Sequence, residues 1–210
     1  MSGVPSIECK PDGPYLVKDL EDFRNSRSDR IPTKPVIALC RCGGSANKPF
    51  CDGTHRNNGF SGAKLADGSA DKQDSYRGQK ITIHDNRAIC AHAGHCTDGL
   101  AAVFKYGKEP WIDPDGANVE AIIEVIQKCP SGALSYSLGG DKSQVAALKP
   151  SITVTKDGPY QVVGDVQLMG ESWGQGALKE RYTLCRCGAS KNKPFCDGSH
   201  WQVGFKDEKN

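Results

Sequence analysis

Apolar material is scarce in this 210-residue chain: hydrophobic residues make up 37%, aromatics 7%, and there are two methionines. One large core is hard to build from so little, so several small units are expected instead of a single domain. No apolar run approaches the length of a membrane span. The opening "MSGVPSIECKPDG" has neither a basic n-region nor an apolar h-region, so no secretory leader and a cytoplasmic location are expected. Formal charge is only +2, and lysine and arginine are scattered instead of striped, which leaves nucleic acid without an electrostatic footprint. There is no nucleophile–base–oxyanion pattern, no phosphate-cradling glycine loop after a strand and no dinucleotide fingerprint. An enzyme with its own substrate pocket is therefore not expected.

What the chain has in quantity is cysteine, ten residues of it, with 24 glycines and 12 prolines. Small domains with thin cores need a staple, either disulfides or metal. Without a leader the thiols are expected to be reduced and available to metal; a secreted disulfide framework is the competing possibility.

The chain also repeats itself. "CRCGGSANKPFCDGTH" (40–55) returns as "CRCGASKNKPFCDGSH" (185–200), so Cys40, Cys42, Cys51 and His55 recur 145 positions later as Cys185, Cys187, Cys196 and His200. Asp12-Gly13-Pro14-Tyr15 recurs at 157–160 and Gly59-Phe60 at 204–205 with the same offset. A constant offset means a duplicated module, spanning about 5–62 and 150–207. In each copy "SIECK" or "SITVT" reads as a strand, and a turn at Asp-Gly-Pro takes its special angles from glycine and proline. "YLVKDL"/"YQVVGDV" and "VIALCRC"/"RYTLCRC" read as further strands. A helix is expected to begin near Asp52 or Asp197, with the aspartate capping its first turn and so ordering the histidine loop. Between the copies, 61–78 and 139–149 read as polar linkers around a structured segment, 79–138. There "KITIH" alternates as a strand, and "ALSYSL" returns as another. Val119, Ile122, Ile123 and Ile126 form one face of a helix that Asp115 or Asn118 caps and Pro130 stops.

Three thiols and one imidazole within sixteen residues are a complete four-ligand set. Thiolate and imidazole suit both tetrahedral zinc and iron–sulfur clusters, so donor type alone leaves the two open. The pattern C-x-C-x2-S-x3-P-x-C-D-G-[ST]-H resembles the CDGSH iron–sulfur family (mitoNEET-like) at every motif position in both copies: Ser45, Pro49, Asp52, Gly53, Thr54, and Ser190, Pro194, Asp197, Gly198, Ser199. The resemblance implies a [2Fe–2S] cluster on Cys40, Cys42, Cys51 and His55, and another on Cys185, Cys187, Cys196 and His200. Replacing one thiolate by neutral imidazole leaves a cluster less negative, which should raise its reduction potential. Arg41, Lys48, Arg186, Lys191 and Lys193 lie inside the motifs, either to favour reduced clusters or steer a partner, or as solvated loop charge.

The middle segment carries "CAHAGHC" (90–96) and "CPSGAL" from Cys129. Bacterial ferredoxins hold a cubane cluster with C-x2-C-x2-C and a remote cysteine before proline. Cys90, Cys96 and Cys129 match the first, third and remote ligands, and Ala93 stands where the second would be. The segment is similar to a single-cluster ferredoxin of the three-iron type, which implies [3Fe–4S] on those three cysteines, or [4Fe–4S] if His92 or His95 adds a ligand. A zinc site on Cys90, His92, Cys96 and Cys129 is the alternative. Cys9 and His84 fit neither pattern and read as structural.

The expected architecture is α+β: two β-rich CDGSH modules paired as an intramolecular pseudo-dimer, plus a ferredoxin-like domain. CDGSH proteins with one motif per chain form intertwined homodimers, so a chain with two motifs implies a monomer with internal pseudo-two-fold symmetry. The function that uses three redox centres is electron transfer between a reductase and an acceptor protein. The competitors are an iron–sulfur cluster donor (to an apo acceptor) or redox and iron sensor, and a zinc-stabilised interaction scaffold.

Overall fold

The computed structural model describes residues 3–142 and 148–210; residues 143–147 of the stretch read as a second linker lie outside the described residues. The first copy contributes four strands: β1 (Ser6–Cys9), β2 (Tyr15–Lys18), β3 (Asp22–Arg24) and β4 (Val36–Leu39). Period-two alternation buries Ile7 on β1, Tyr15 and Val17 on β2, and Ile37 and Leu39 on β4. The β1–β2 turn corrects one expectation. The left-handed residue is Asp12 (φ 46°), matched by Asp157 (φ 48°) in the second copy, and not the glycine beside it. Aspartate tolerates that region because its short carboxylate bonds locally. Gly13 is needed for space: a Cβ there would lie 3.1 Å from the Lys10 Cβ.

The middle segment forms an antiparallel sheet of β5 (Asp74–Arg77), β6 (Thr82–Asp85), β7 (Leu134–Leu138) and β8 (Asp141–Lys142). Two helices accompany it, α1 (His95–Gly99) and α2 (Val119–Gln127). β5 lies within 61–78, so that stretch is not all linker; Ser75 and Tyr76 find partners in His84 and Ile83 of β6. Asn118 caps α2 by accepting the Ala121 N–H at 2.8 Å, while Asp115 accepts from the Gln79 N–H. The buried face of α2 is Ile122, Val125 and Ile126. These residues join Ile83, Phe104 and Ile112 in a core of their own.

The second copy supplies β9 (Ser151–Val154), β10 (Tyr160–Val163), β11 (Gln167–Met169), β12 (Arg181–Leu184) and α3 (Ser199–Gln202). The two copies exchange strands. β3 leaves its own copy to pair in parallel with β9, Phe23 opposite Ile152, and β11 pairs in parallel with β1, Leu168 opposite Ile7. The resulting sheets run β11-β1-β2-β4 and β12-β10-β9-β3. One core draws on both copies, with Ile7, Tyr15, Phe23, Ile152, Tyr160 and Leu168 among its members. Pooling apolar residues in this way gives two thin modules a shared interior that neither would have alone.

At its centre Tyr15 and Tyr160 meet edge to face, ring centroids 6.0 Å apart. The Tyr15 hydroxyl donates toward the carbonyls of Cys185 (2.9 Å) and Pro194 (3.1 Å). The Tyr160 hydroxyl donates toward those of Cys40 (3.0 Å) and Pro49 (2.9 Å). Each copy thus holds the motif loop of the other. Tyr15→Phe and Tyr160→Phe are each expected to destabilise the protein by about 1–2 kcal/mol in denaturant titrations, the usual cost of losing a buried hydroxyl's bonds. Unchanged midpoints in both variants would contradict the crossed anchoring.

Candidate metal centres

In the second copy, β12 ends at Leu184 and delivers Cys185 directly into the loop. Ser190 Oγ donates to the Phe195 carbonyl at 2.7 Å and accepts the Asn192 N–H at 3.1 Å, closing the loop on itself. Asp197 ties its two ends: one oxygen accepts the Lys191 N–H at 2.8 Å, the other the Ser199 N–H at 3.0 Å and its hydroxyl at 2.7 Å. Asp197 therefore braces the loop but is not the helix cap expected of it. The α3 cap is Gly198, at φ 83°, with no side-chain bond. The turn swings His200 back so that Nδ1 stands 3.4 Å from Cys196 Sγ. Cys185 and Cys187 form a second pair, sulfurs 3.8 Å apart.

The first copy repeats this framework. Cys40 and Cys42 sulfurs are 3.8 Å apart, Ser45 closes the loop on Phe50, and Asp52 braces Ala46 and Thr54. Two things differ. His55 turns Nδ1 to the Asp12 carbonyl, 2.9 Å away, where that nitrogen donates. His55 is half-buried, whereas His200 is buried.

In the middle segment Cys90, Cys96 and Cys129 line one cavity of about 260 Å³, together with His92, Ala93 and His95. The three cysteines the sequence selected are thus brought together. His92, at φ 52°, leans toward the second motif: a Cβ at Gly198 would lie 2.6 Å from its Cδ2. His95 is exposed at the start of α1. Sequence reasoning missed Asp85, which also lines the cavity. It is 2% exposed, and its Oδ1 has no hydrogen-bond partner. Burial pushes its carboxyl up to about 7, against the opposing pull of Arg87. The signal was available in "TIHD", where Asp85 takes the inward position two after Ile83.

Burial also raises the thiols: Cys40 and Cys90 are each pushed up to about 11, and Cys196 well beyond its ordinary value. Cys187 goes the other way, to about 7, because the Cys185 thiol hydrogen-bonds to it. Buried thiolates need adjacent positive charge to form, and this donor set fits the iron of a cluster, which supplies it. The charge inside the motifs is not all solvated: Arg41, Arg186 and Lys193 are buried. Cys9 packs beside the shared core, and His84 bridges the hydroxyls of Ser75 and Ser137.

Comparison with known proteins agrees with this geometry. Residues 12–56 and 157–201 each match the model described as "Iron-binding zinc finger CDGSH type", and residues 76–139 match "Divergent 4Fe-4S mono-cluster". The chain belongs to the CDGSH iron–sulfur family. Its two CDGSH domains flank a divergent iron–sulfur domain, and it is an iron–sulfur protein. A protein of Escherichia coli strain K12, "Uncharacterized protein YjdI", is 46% identical over 61 residues, which is 29% of this chain and 80% of that protein. The YjdI of Escherichia coli O157:H7 matches to the same extent. No solved structure matches. Among the described residues, no helix of this CDGSH protein is long and apolar enough to cross a membrane.

The raised Asp85 carboxyl gives the CDGSH protein a testable pH dependence. Its folded state holds that proton more tightly than its unfolded state, so the associated stability is complete below the ordinary carboxylate range. It is lost as pH rises through about 7. Asp85→Asn imitates the protonated form, so the variant is expected to melt higher than the parent at pH 8, with the gap narrowing steadily as pH falls from about 7 toward about 4. Thermal unfolding across that range checks this; parallel curves would contradict it.

Proposed function

We propose that this protein is an electron carrier. It would hold one [2Fe–2S] cluster on Cys40, Cys42, Cys51 and His55, a second on Cys185, Cys187, Cys196 and His200, and a third cluster on Cys90, Cys96 and Cys129. When bound, such clusters take up and release single electrons. The observation that carries the reading is the division of the second motif's donors into two pairs. Two thiolates on one tetrahedral metal stand about 3.8 Å apart, and a thiolate and imidazole about 3.6 Å. Cys185–Cys187 at 3.8 Å and Cys196–His200 at 3.4 Å have those separations, as two irons would require. Among the described residues, no three His, Cys, Asp or Glu side chains converge tightly enough for a single ion, which disfavours mononuclear zinc in any of the three places.

The middle site reads best as [3Fe–4S]. Ala93 offers no donor, His95 is exposed, and His92 leans on Gly198. A [4Fe–4S] core would need one of those histidines to turn inward. The reciprocal strand exchange supports an internal pseudo-dimer, and β5–β8 with α1 and α2 support a ferredoxin-like α+β unit. The residues' part in electron transfer is to hold, space and shield. The crossed tyrosines fix the motif loops, Ser190 and Asp197 keep their shape, and the buried Cys185, Cys196 and His200 exclude water. The partners are a reductase and an acceptor protein, and no reaction on a small substrate is assigned. One observation favours cluster donation as the second reading: His55 is half-buried and its ring faces away to Asp12, so the first site is the more open.

Anaerobic purification with iron, sulfide and zinc analysis tests the proposal, together with EPR. Iron near seven per chain and an EPR signal from oxidised protein are expected, because a three-iron centre is paramagnetic when oxidised. A colourless, zinc-loaded protein would sink the reading. His55→Cys and His200→Cys are each expected to lower the potential of one site, since thiolate adds a negative charge that imidazole lacks. Incubation with an apo-ferredoxin separates a carrier, which keeps its iron, from a donor, which hands it over.

A further inference from the structure

The two motifs present the same donors but not the same charge behind them. The arginine between the first two cysteines is buried in both copies, Arg41 at 4% and Arg186 at 1% exposure. Arg186 is neutralised. Its Nη1 is paired with the carboxylate of Asp207, itself buried, while Nε donates to the Gly158 carbonyl at 2.8 Å and Nη2 to that of Thr155 at 2.9 Å. Arg41 donates only to carbonyls, those of Lys10 at 3.0 Å and Gly62 at 3.4 Å. Its Nε is buried without a partner, and among the described residues no carboxylate forms an ion pair with it. The faces of Tyr15 and Phe60, 4.8 and 5.7 Å away, stand in for a counter-ion.

One residue makes the difference. With the repeat's offset of 145, the counterpart of Asp207 is Gly62. A Cβ at Gly62 would lie 3.3 Å from both terminal nitrogens of Arg41 and from the Asp12 nitrogen, so an aspartate there would put its carboxylate against the guanidinium once the Arg41 side chain gives by a few tenths of an ångström. Reduction adds one negative charge to a site. A buried cation without a counter-ion favours that charge, and a buried ion pair largely cancels itself. Lys156 and Lys206, beside the second copy, are exposed and screened by water and salt. The buried Lys193 of the second motif donates to the Ser190 carbonyl and holds its ammonium 6.0 Å from the ring of Phe60, which also faces Arg41, so its charge is shared with the first site. Exposure acts in the same sense, since the half-buried His55 gives the first site more solvation of added charge than the buried His200 gives the second.

The second motif also stands between the other two sites. Asn192 donates to the Ala88 carbonyl at 2.8 Å and Trp201 to that of His92 at 3.2 Å, both in the middle segment. On its other side its backbone meets the first motif, where a Cβ on Gly43 would lie 2.4 Å from the Cys187 carbonyl oxygen.

We propose that the glycine at position 62, by leaving Arg41 unpaired, makes the first CDGSH site the electron sink of the protein, with the second site as the relay between it and the middle site. This rests on the electron-carrier reading above. The step is a one-electron transfer: the second site loses one electron and is oxidised, the first gains it and is reduced, and no bond or proton changes hands.

The test is an equilibrium redox titration of the whole protein with dithionite, followed by EPR, with each CDGSH signal assigned through His55→Cys and His200→Cys. The first site is expected to reduce before the second, with at least a tenfold preference for the electron, which is about 59 mV. Gly62→Asp and Arg41→Gln should each erase most of that preference by lowering the first site alone. Asp207→Asn, which keeps the side chain's size, should narrow it by raising the second, and it carries the test if Gly62→Asp does not fold. Coincident titration of the two sites in the parent, or an unchanged separation in the folded variants, overturns the inference while leaving the carrier reading intact. Absence of iron from both motifs overturns both.

Discussion

A phenol hydroxyl taken out of water must find an acceptor, and here both central tyrosines find theirs in the opposite copy. Tyr15 is 1% exposed and Tyr160 0%, and their bonds reach the carbonyls that frame Cys185 and Cys40. Much of the architecture follows from that crossing. The carbonyl of a motif cysteine is fixed by a residue whose own motif loop is fixed in return, so the two motifs are positioned together. The exchanged strands β3 and β11 carry the same reciprocity into the sheets. A chain this poor in apolar residues thereby gains one interior for two modules, with the ligand loops at its edge.

Duplication was legible without coordinates, because a repeat with constant offset leaves its mark residue by residue. The repeated motif residues were legible for the same reason, and so was the place of the β1–β2 turn, though not that Asp12 and Asp157, and not the glycines, take its left-handed angle. Strand exchange was not: "DFR" and "QLM" read as short extended pieces whichever copy they pair with, and alternation does not name a partner. β5 was hidden in a polar stretch because an edge strand such as Asp74–Arg77 has little to bury, and its burial alternates only between intermediate and exposed. Val125 was passed over beside the isoleucines, although α2 buries it with Ile122 and Ile126. The burial of Arg41 and Arg186 contradicts every compositional expectation for arginine. It becomes intelligible only when Tyr160, Phe205 and Asp207 are seen around one guanidinium and Tyr15 and Phe60 around the other.

The inserted middle segment breaks the symmetry that duplication would otherwise impose. Leu65 and Ala66, on the way into it, both donate to the Lys191 carbonyl of the second motif, and Ala88 and His92 receive bonds from Asn192 and Trp201. Those contacts lie against the second motif, whose His200 is buried, while His55 is half-buried. Two copies with identical donors therefore sit in different dielectric surroundings. The two motifs are the same in their cysteines and histidine and differ in what surrounds them.

Asp207 and Gly62 show how such a difference persists at reduced cost to the fold. An unpaired buried guanidinium is normally destabilising, since burying a charge without a counter-ion forfeits its hydration. Arg41 is relieved of part of that penalty by two backbone carbonyls and two aromatic faces. Its position is set by the same Tyr15 that anchors the opposite motif. The aromatic ring that locks the two copies together also shelters the positive charge that distinguishes them, so the cohesion of the pair and its electrical inequality have a common origin.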